Sequence, residues 1–294
     1  MGSLKNSMKG ILLAGGRATR LRPLTAHYCK QLLPVYDKPM IYYPLHTLIS
    51  MGIREILLVI TSKDKEAYSH LLSDGSDFGI SISYVVQDEP NGIAEALILG
   101  ERFIDNSDVA LILGDNIFYG SHLESLSEAY SSNHGAKVFG YEVSDPERYG
   151  VLNIKDNKVL DIIEKPSSFV SNYAVTGLYI YDKSASDRAK NLVPSNRGEL
   201  EITDLNKSYL RDSKLEAIFI NKSNLWLDTG TFSSLLEASN IIHSIQSRLG
   251  SQICSPHEAA LNNGFIDKNK LEEVSKKYEK SSYGTMLLNT VNKV

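Results

Sequence analysis

The residues best suited to chemistry stand near the start of the chain. An apolar run at 11–14 leads into Gly15-Gly16-Arg17-Ala18-Thr19-Arg20-Leu21. A glycine pair after a buried strand lets the backbone approach a ligand closely and turn its N–H groups toward phosphate oxygens. Arg17, Arg20 and Arg22 add positive charge to such a nest. The same residues also suit a plain glycine turn with solvated arginines, and the loop alone does not separate the two readings. Its spacing fits neither the Walker pattern nor the dinucleotide pattern, which argues against a kinase-type phosphate loop and a nicotinamide-binding loop. Farther on, Asp115 follows the apolar run 109–113 and Gly114. Ligands dock at the carboxyl ends of parallel strands in open α/β sheets. A carboxylate there suits Mg²⁺, a hard ion that takes few protein oxygens and keeps phosphate and water ligands. A turn-forming or helix-capping aspartate also fits the position.

The elements that must position these groups follow from hydrophobic pattern. Near-continuous apolar runs at 9–14, 56–60, 82–86 and 109–113 read as strands buried on both faces. Helices are predicted between them at 39–51, 63–72, 92–103 and 122–133. In the third, Ile93, Ala96, Leu97 and Gly100 form one apolar stripe, and Pro44 inside the first predicts a kink. The alternation predicts an α/β fold: a Rossmann-like three-layer sandwich around a mixed, mostly parallel sheet with right-handed crossovers. From Ala136 the pattern changes to strands at 137–143, 151–154, 159–163 and 174–181, an antiparallel extension. After Trp226 the chain reads as helical, at 231–249, 256–262, 268–278 and 281–291. Residues 1–7 are polar and read as an extension or cloning remnant ahead of a native start at Met8. Residues 8–250 then form the main domain and 251–294 a helical tail, an interface or regulatory subdomain.

Composition narrows the partners. With 31 basic and 35 acidic residues the net charge is -4, so nothing draws the whole molecule to nucleic acid or an anionic membrane. Any phosphate ligand must be held locally. No apolar run approaches the ~20 residues that span a bilayer. Cys29 and Cys254 are too few for a disulfide framework and unlike a zinc cluster, so a cytoplasmic location is expected.

Lys30-Gln31-Leu32-Leu33-Pro34-Val35 follows the glycine loop, and the combined string L-A-G-G-x-x-T-R-L…K-Q-L-L-P-V is distinctive. Here the chain resembles the sugar-nucleotide pyrophosphorylases, and closely the glucose-1-phosphate thymidylyltransferases. The match runs from about residue 8 to 250 and weakens in the tail. It includes GIAEA at 92–96, LGDN at 113–116, DPERYGV at 145–151 and EKP at 164–166. YAVTGLY at 173–179, RGELEITD at 197–204 and WLDTGT at 226–231 continue it. The resemblance implies transfer of the thymidylyl group of dTTP to α-D-glucose 1-phosphate with Mg²⁺, giving dTDP-glucose and pyrophosphate at the entry to dTDP-L-rhamnose and related deoxysugars. It divides the main domain into a nucleotide-binding part, about 8–135, and a sugar-phosphate-binding part, about 136–230.

Residue by residue, the resemblance implies catalytic roles for Arg20, Lys30, Asp115, Lys165 and Asp228, with Asp115 and Asp228 as the metal pair. For the nucleotide it implies Leu13, Gly15, Gly16, Thr19, Arg20, Gln31, Gln87, Pro90, Gly92 and Asp115. Gln31 and Gln87 match positions that read thymine; an amide offers the donor and acceptor that a pyrimidine edge requires. For the sugar phosphate it implies Asn116, Tyr149, Gly150, Glu164, Lys165, Val175 and Tyr179, and Arg197 is a further candidate. Arg17-Ala18 departs from the small or glycine residues of many relatives, and Ala18 lacks glycine's freedom at positive φ. The tail resembles that of homotetrameric members with a second, regulatory nucleotide site. Such a site would draw on Tyr119, Gly120, Ser121 and residues near Glu258, but the arginine expected near Asn262 is missing. A homotetramer or homodimer is expected. The alternatives are a UTP-preferring or other hexose-1-phosphate nucleotidylyltransferase, and a catalytically silent sugar-nucleotide-binding subunit. A nicotinamide-dependent enzyme is a third.

Overall fold

The predicted strands pair in the order that brings their carboxyl ends to one edge. The structure, a computed structural model, describes residues 8–16, 18–120, 135–156 and 158–293. Its first six strands are β1 (Lys9–Leu13), β2 (Pro34–Val35), β3 (Lys38–Pro39), β4 (Glu55–Ile60), β5 (Ser81–Val86) and β6 (Val109–Leu113). They are followed by β7 (Asn116–Tyr119), β8 (Ala136–Glu142), β9 (Gly150–Lys155) and β10 (Lys158–Glu164). The last are β11 (Tyr173–Tyr181), β12 (Leu215–Phe219) and β13 (Leu225–Asp228). β6, β1, β4 and β5 lie side by side and parallel. Leu13, the last residue of β1, stands level with Val59 and Leu113, so the glycine loop and Asp115 leave the sheet at the same edge. β11 then adds antiparallel to β6, and β8, β9 and β10 extend the sheet from there.

Alternation along these strands sends side chains to two cores. Leu12, Leu58 and Ile112 meet the Tyr42–Ser50 helix through Leu45, Leu48 and Ile49. Ile11, Leu57 and Leu111 face the opposite way, toward Ala96 and Leu97 and toward Leu205 and Tyr209 of the Ile202–Arg211 helix. Helices on both faces make the expected three layers.

Several expectations need correction. The helix expected at 39–51 is Tyr42–Ser50, and Pro44 falls in its first turn, where a missing N–H costs little and no kink is needed. The helix expected at 92–103 is two short ones, Glu95–Leu99 and Glu101–Ile104. They part at Gly100, where a Cβ would stand 2.9 Å from the Ile11 side chain, so this glycine permits close approach to the sheet. The helix expected at 122–133 lies outside the described residues. Two helices, Ala185–Lys190 and Ile202–Arg211, occur where strands with little helix were expected. β2, β3, β7, β12 and β13 were not anticipated.

The four C-terminal helices match the sequence closely: Phe232–Leu249, and in the tail Pro256–Asn262, Lys268–Lys277 and Ser282–Lys293. Ala260, Leu271, Val274 and Leu287 are fully buried in the same core as Leu12 and Leu58. His257 is wholly enclosed where the tail meets the sheet domain. Its ring centroid lies 4.4 Å from that of Phe78, and its Nδ1 is 2.8 Å from the Tyr283 hydroxyl. Burial pushes the His257 ring down to about 3, and burial likewise pushes His46, beside the Ser255 carbonyl, down to about 4.

These rings stay neutral in the folded chain but take up protons near 6.5 when unfolded. Their contribution is therefore complete above about pH 6.5 and is lost as pH falls toward the folded values. Urea denaturation at pH 7 and pH 5 should show a loss of about 2 kcal/mol for each ring. His257→Phe should remove its own share of that slope.

Candidate active site

Three adjoining cavities run along the carboxyl edge of the sheet. The first, about 410 Å³, is lined by Leu13, Gly15, Gly16, Gln87, Pro90 and Gly92 among others. The second, about 480 Å³, shares Gly15 and Pro90 with it and adds Thr19, Arg20, Lys30, Gln31, Asp115 and Asp228. The third, about 240 Å³, shares Arg20, Asp115 and Asp228 with the second. Asn116, Tyr149, Gly150, Glu164, Lys165, Val175 and Tyr179 form its far side. The residues expected for base, phosphates and sugar thus lie along one groove with both aspartates in the middle, although Gln31, expected at the base, lines the second cavity and not the first. Arg197 is the exception. It lines none of these cavities, and its guanidinium is held by Glu201 at 2.9 Å. Tyr119 and Gly120 line none of them either, and Ser121 and Arg17 lie outside the described residues.

The two aspartates, remote in sequence, meet through strand pairing. β13 runs antiparallel to β7 with Asp228 opposite Asn116. Thr229 donates both its N–H (3.2 Å) and its hydroxyl (2.8 Å) to the Asp115 carbonyl. Asn116 ties this junction together. Its Oδ1 accepts from the Trp226 indole at 2.6 Å and from the Gly177 N–H at 3.0 Å, while its Nδ2 donates to Asp115 Oδ1 at 2.9 Å. Gly177 must be glycine, because a Cβ would lie 2.7 Å from the Asn116 amide.

The glycine loop leaves β1 with the Ala14 N–H bonded to the Val59 carbonyl at 2.8 Å. Ala18 does adopt the left-handed conformation, at φ 41° and ψ 42°. The Thr25 hydroxyl and the Leu21 N–H both donate to its carbonyl and hold it there. Lys165 is another left-handed residue, at φ 42°, and this bend follows Glu164, whose carboxylate accepts from Thr203 at 2.8 Å.

Charge is distributed unevenly in the groove. Lys30, almost buried, donates to Asp115 Oδ2 at 2.5 Å. Burial opposes the charge on Asp115, but the attraction and hydrogen bond of Lys30, with the Asn116 amide, hold its carboxyl below the usual range. Asp228 goes the other way. Burial and then the neighbouring Asp115 charge push it up to about 6, against the pull of Lys30, Arg148 and Arg20. Its direct partner is Arg148, at 3.3 Å. Two carboxylates that repel each other beside a phosphate-sized opening suit a hard divalent cation. Among the described residues no group of three or more His, Cys, Asp and Glu is assembled to hold a metal. A pair of oxygen donors leaves the remaining coordination to phosphate and water, as a hard divalent cation accepts.

A family model for nucleotidyl transferases matches residues 9–245, which take in all three cavities. The chain belongs to that family. It is 50% identical over 288 residues to a glucose-1-phosphate thymidylyltransferase of Neisseria meningitidis, covering 97% of this chain and all of the relative. It is 45% identical over 282 residues to one of Mycobacterium tuberculosis, covering 96% and 98%. A solved structure from Bacillus anthracis, in complex with a sucrose, is 42% identical with a TM-score of 0.75, covering 80% of this chain and 95% of that one. A UDP-glucose pyrophosphorylase complexed with UDP-glucose is 25% identical with a TM-score of 0.72, covering 81% and 99%.

Sequence reading missed several lining residues. Glu199 faces both the first and second cavities, and Thr61, Ser62 and Lys63 line the first. Arg148, Thr203 and Trp226 line the third. All except the 61–63 turn lie inside quoted motifs, so the motif boundaries could have flagged them.

Asn116→Leu should leave the Trp226 and Gly177 donors buried without partners. Chemical denaturation should register a loss of about 2–4 kcal/mol.

Proposed function

We propose that this chain transfers the thymidylyl group of dTTP to α-D-glucose 1-phosphate, releasing pyrophosphate. The observation that carries this reading is the meeting of Asp115 and Asp228 between two cavities, one flanked by the glycine loop and one by Glu164 and Lys165. A site for joining two phosphate compounds needs that layout. Identity near one half, over almost the full length of thymidylyltransferases from several bacteria, supports it further.

A phosphate oxygen of the sugar phosphate attacks the α-phosphorus of dTTP in line. One P–O bond forms as the bond to the pyrophosphate oxygen breaks, so the protein need supply no nucleophile. Its work is positioning and charge stabilisation. Gly15 and Gly16 admit the triphosphate close to the backbone, Thr19 and Arg20 hold it from one side, and Lys30 stands where it can turn its charge from Asp115 to the α-phosphate. Leu13 and Pro90 wall the base, Gly92 lets it pack against backbone, and Gln87, with Gln31 from the second cavity, meets its polar edge. Lys165 neutralises the sugar's phosphate. Glu164 accepts from sugar hydroxyls, and Asn116, Tyr149, Gly150, Val175 and Tyr179 shape the remainder of the sugar pocket. Mg²⁺, held by Asp115 and Asp228, would supply positive charge against the phosphate oxygens as they are brought together. Arg197 is left without a direct role by its pairing with Glu201.

The nucleotide part is about 8–135 and the sugar part about 136–230 of a catalytic domain spanning 8–250. Among the described residues no helix is long and apolar enough to cross a membrane. We place the protein in the cytoplasm, which its two buried thiols suit, as a homotetramer or homodimer. Exposed Phe232 and Leu236 on the Phe232–Leu249 helix favour such contacts. Its product would feed dTDP-L-rhamnose and related deoxysugars.

Asp115→Asn and Asp228→Asn should each lower pyrophosphate release from dTTP and glucose 1-phosphate at least about 100-fold with little change in thermal melting. Near-normal turnover in both would overturn the metal assignment. Uracil presents the same polar edge as thymine and lacks only a methyl, so dUTP should serve with kcat/KM lower by about 10- to 200-fold, and UTP, which adds a 2′-hydroxyl, should be used in part. Equal or better use of UTP, measured in the same assay, would reject the base assignment.

A further inference from the structure

Gln87 has an amide that can be turned either way, and its two orientations would select opposite bases. With Oε1 toward the first cavity it accepts a hydrogen bond, as the N3–H of thymine or uracil requires. With Nε2 toward the cavity it donates, as the unprotonated N3 of cytosine requires. The surroundings decide which occurs. At the far end of the amide lie the Gly92 carbonyl, at 3.1 Å, and Glu95 Oε2, at 2.6 Å. Both are acceptors. Only the NH2 end can sit between them, because an oxygen there would face two other oxygens. The carbonyl end is thereby turned toward the glycine loop, with Oε1 3.7 Å from where a Cβ on Gly15 would stand.

Glu95 is itself fixed. Its other oxygen, Oε1, accepts from the Asn91 amide at 2.8 Å, so one carboxylate ties Asn91 and Gln87 together across the turn. Gly92 has φ +104°, and a Cβ there would lie 2.3 Å from the Leu200 carbonyl, so the 91–95 turn is clamped from behind. The Leu200 N–H donates to the Asn91 carbonyl at 2.6 Å and the Ala94 N–H to the Leu200 carbonyl at 3.2 Å. The acceptor pair behind Gln87 is therefore a rigid feature of the fold.

We infer that Glu95 is a positioning residue for base selection: by holding the Gln87 NH2 group it presents a fixed acceptor to the cavity and makes the site choose thymine or uracil over cytosine. This rests on reading the first cavity as the base pocket, and goes beyond it by naming what sets the direction of the amide. Glu95 touches no substrate in this account.

The test compares dTTP with dCTP in the pyrophosphate-release assay for three variants of the full chain. Glu95→Lys replaces an acceptor with a donor, and should cut the dTTP-over-dCTP ratio of kcat/KM by at least about tenfold. Glu95→Leu removes the acceptor without adding charge, and should raise KM for dTTP several-fold with kcat nearly kept; it carries the test if the lysine variant does not fold. Glu95→Gln still offers an acceptor and should hold the wild-type ratio within about threefold. Wild-type ratios and KM in both the lysine and leucine variants would overturn the inference. So would failure of the glutamine variant to preserve the ratio. Gln87→Leu separates this from the underlying reading: if it leaves KM for dTTP unchanged, the base-pocket assignment fails. If it raises KM while Glu95→Lys keeps the ratio, only the role of Glu95 fails.

Discussion

Two acidic side chains held close enough to repel each other set the terms for everything else in this molecule. Burial first, and then the like charge of Asp115, push Asp228 toward keeping its proton. The fold tolerates the conflict because Lys30 compensates Asp115 directly and Arg148 caps the rim. It also requires a rigid frame, since repelling groups separate if the backbone lets them. The frame is the β7–β13 pair, braced by Thr229 and by the Asn116 amide, which links Trp226, Gly177 and Asp115 in one small network.

Much of this could be read in the residues beforehand. Buried parallel strands are continuous apolar runs, and β1, β4, β5 and β6 fell within a residue or two of the predicted spans. The tail helices were equally legible, because their apolar spacing and their Ser255 and Asp267 caps are local signals. What could not be read was pairing. β7 and β13 are four residues each, too short to show a period, and their partnership depends on residues remote in the chain. The helix Ile202–Arg211 starts within a motif already assigned to chemistry and runs on beyond it. The two short helices near Gly100 looked like one because the apolar stripe runs through the break, while the close approach of Gly100 to Ile11 is something no local pattern contains.

The candidate site was legible mainly through ordered motifs. Unaided spacing left the glycine loop and Asp115 undecided between phosphate chemistry and ordinary turns. Geometry brings all the proposed contacts to one groove except Arg197, which illustrates how a charged residue in a strong motif can serve a neighbour. Its pairing with Glu201 steadies the segment whose Leu200 clamps Gly92. The motif around it reaches the first cavity through Glu199 and abuts Gly92 through the Leu200 backbone, while the arginine lines none of the three cavities.

The sharing of one core between the sheet and the last helices has a consequence for synthesis. Tyr42, Phe78 and Ile80, made early, find covering in Ala260, Ile266, Leu271 and Tyr283, made much later. Until those later residues have left the ribosome, that oily flank of the sheet lacks the cover they provide. Sealing it is a task that synthesis postpones.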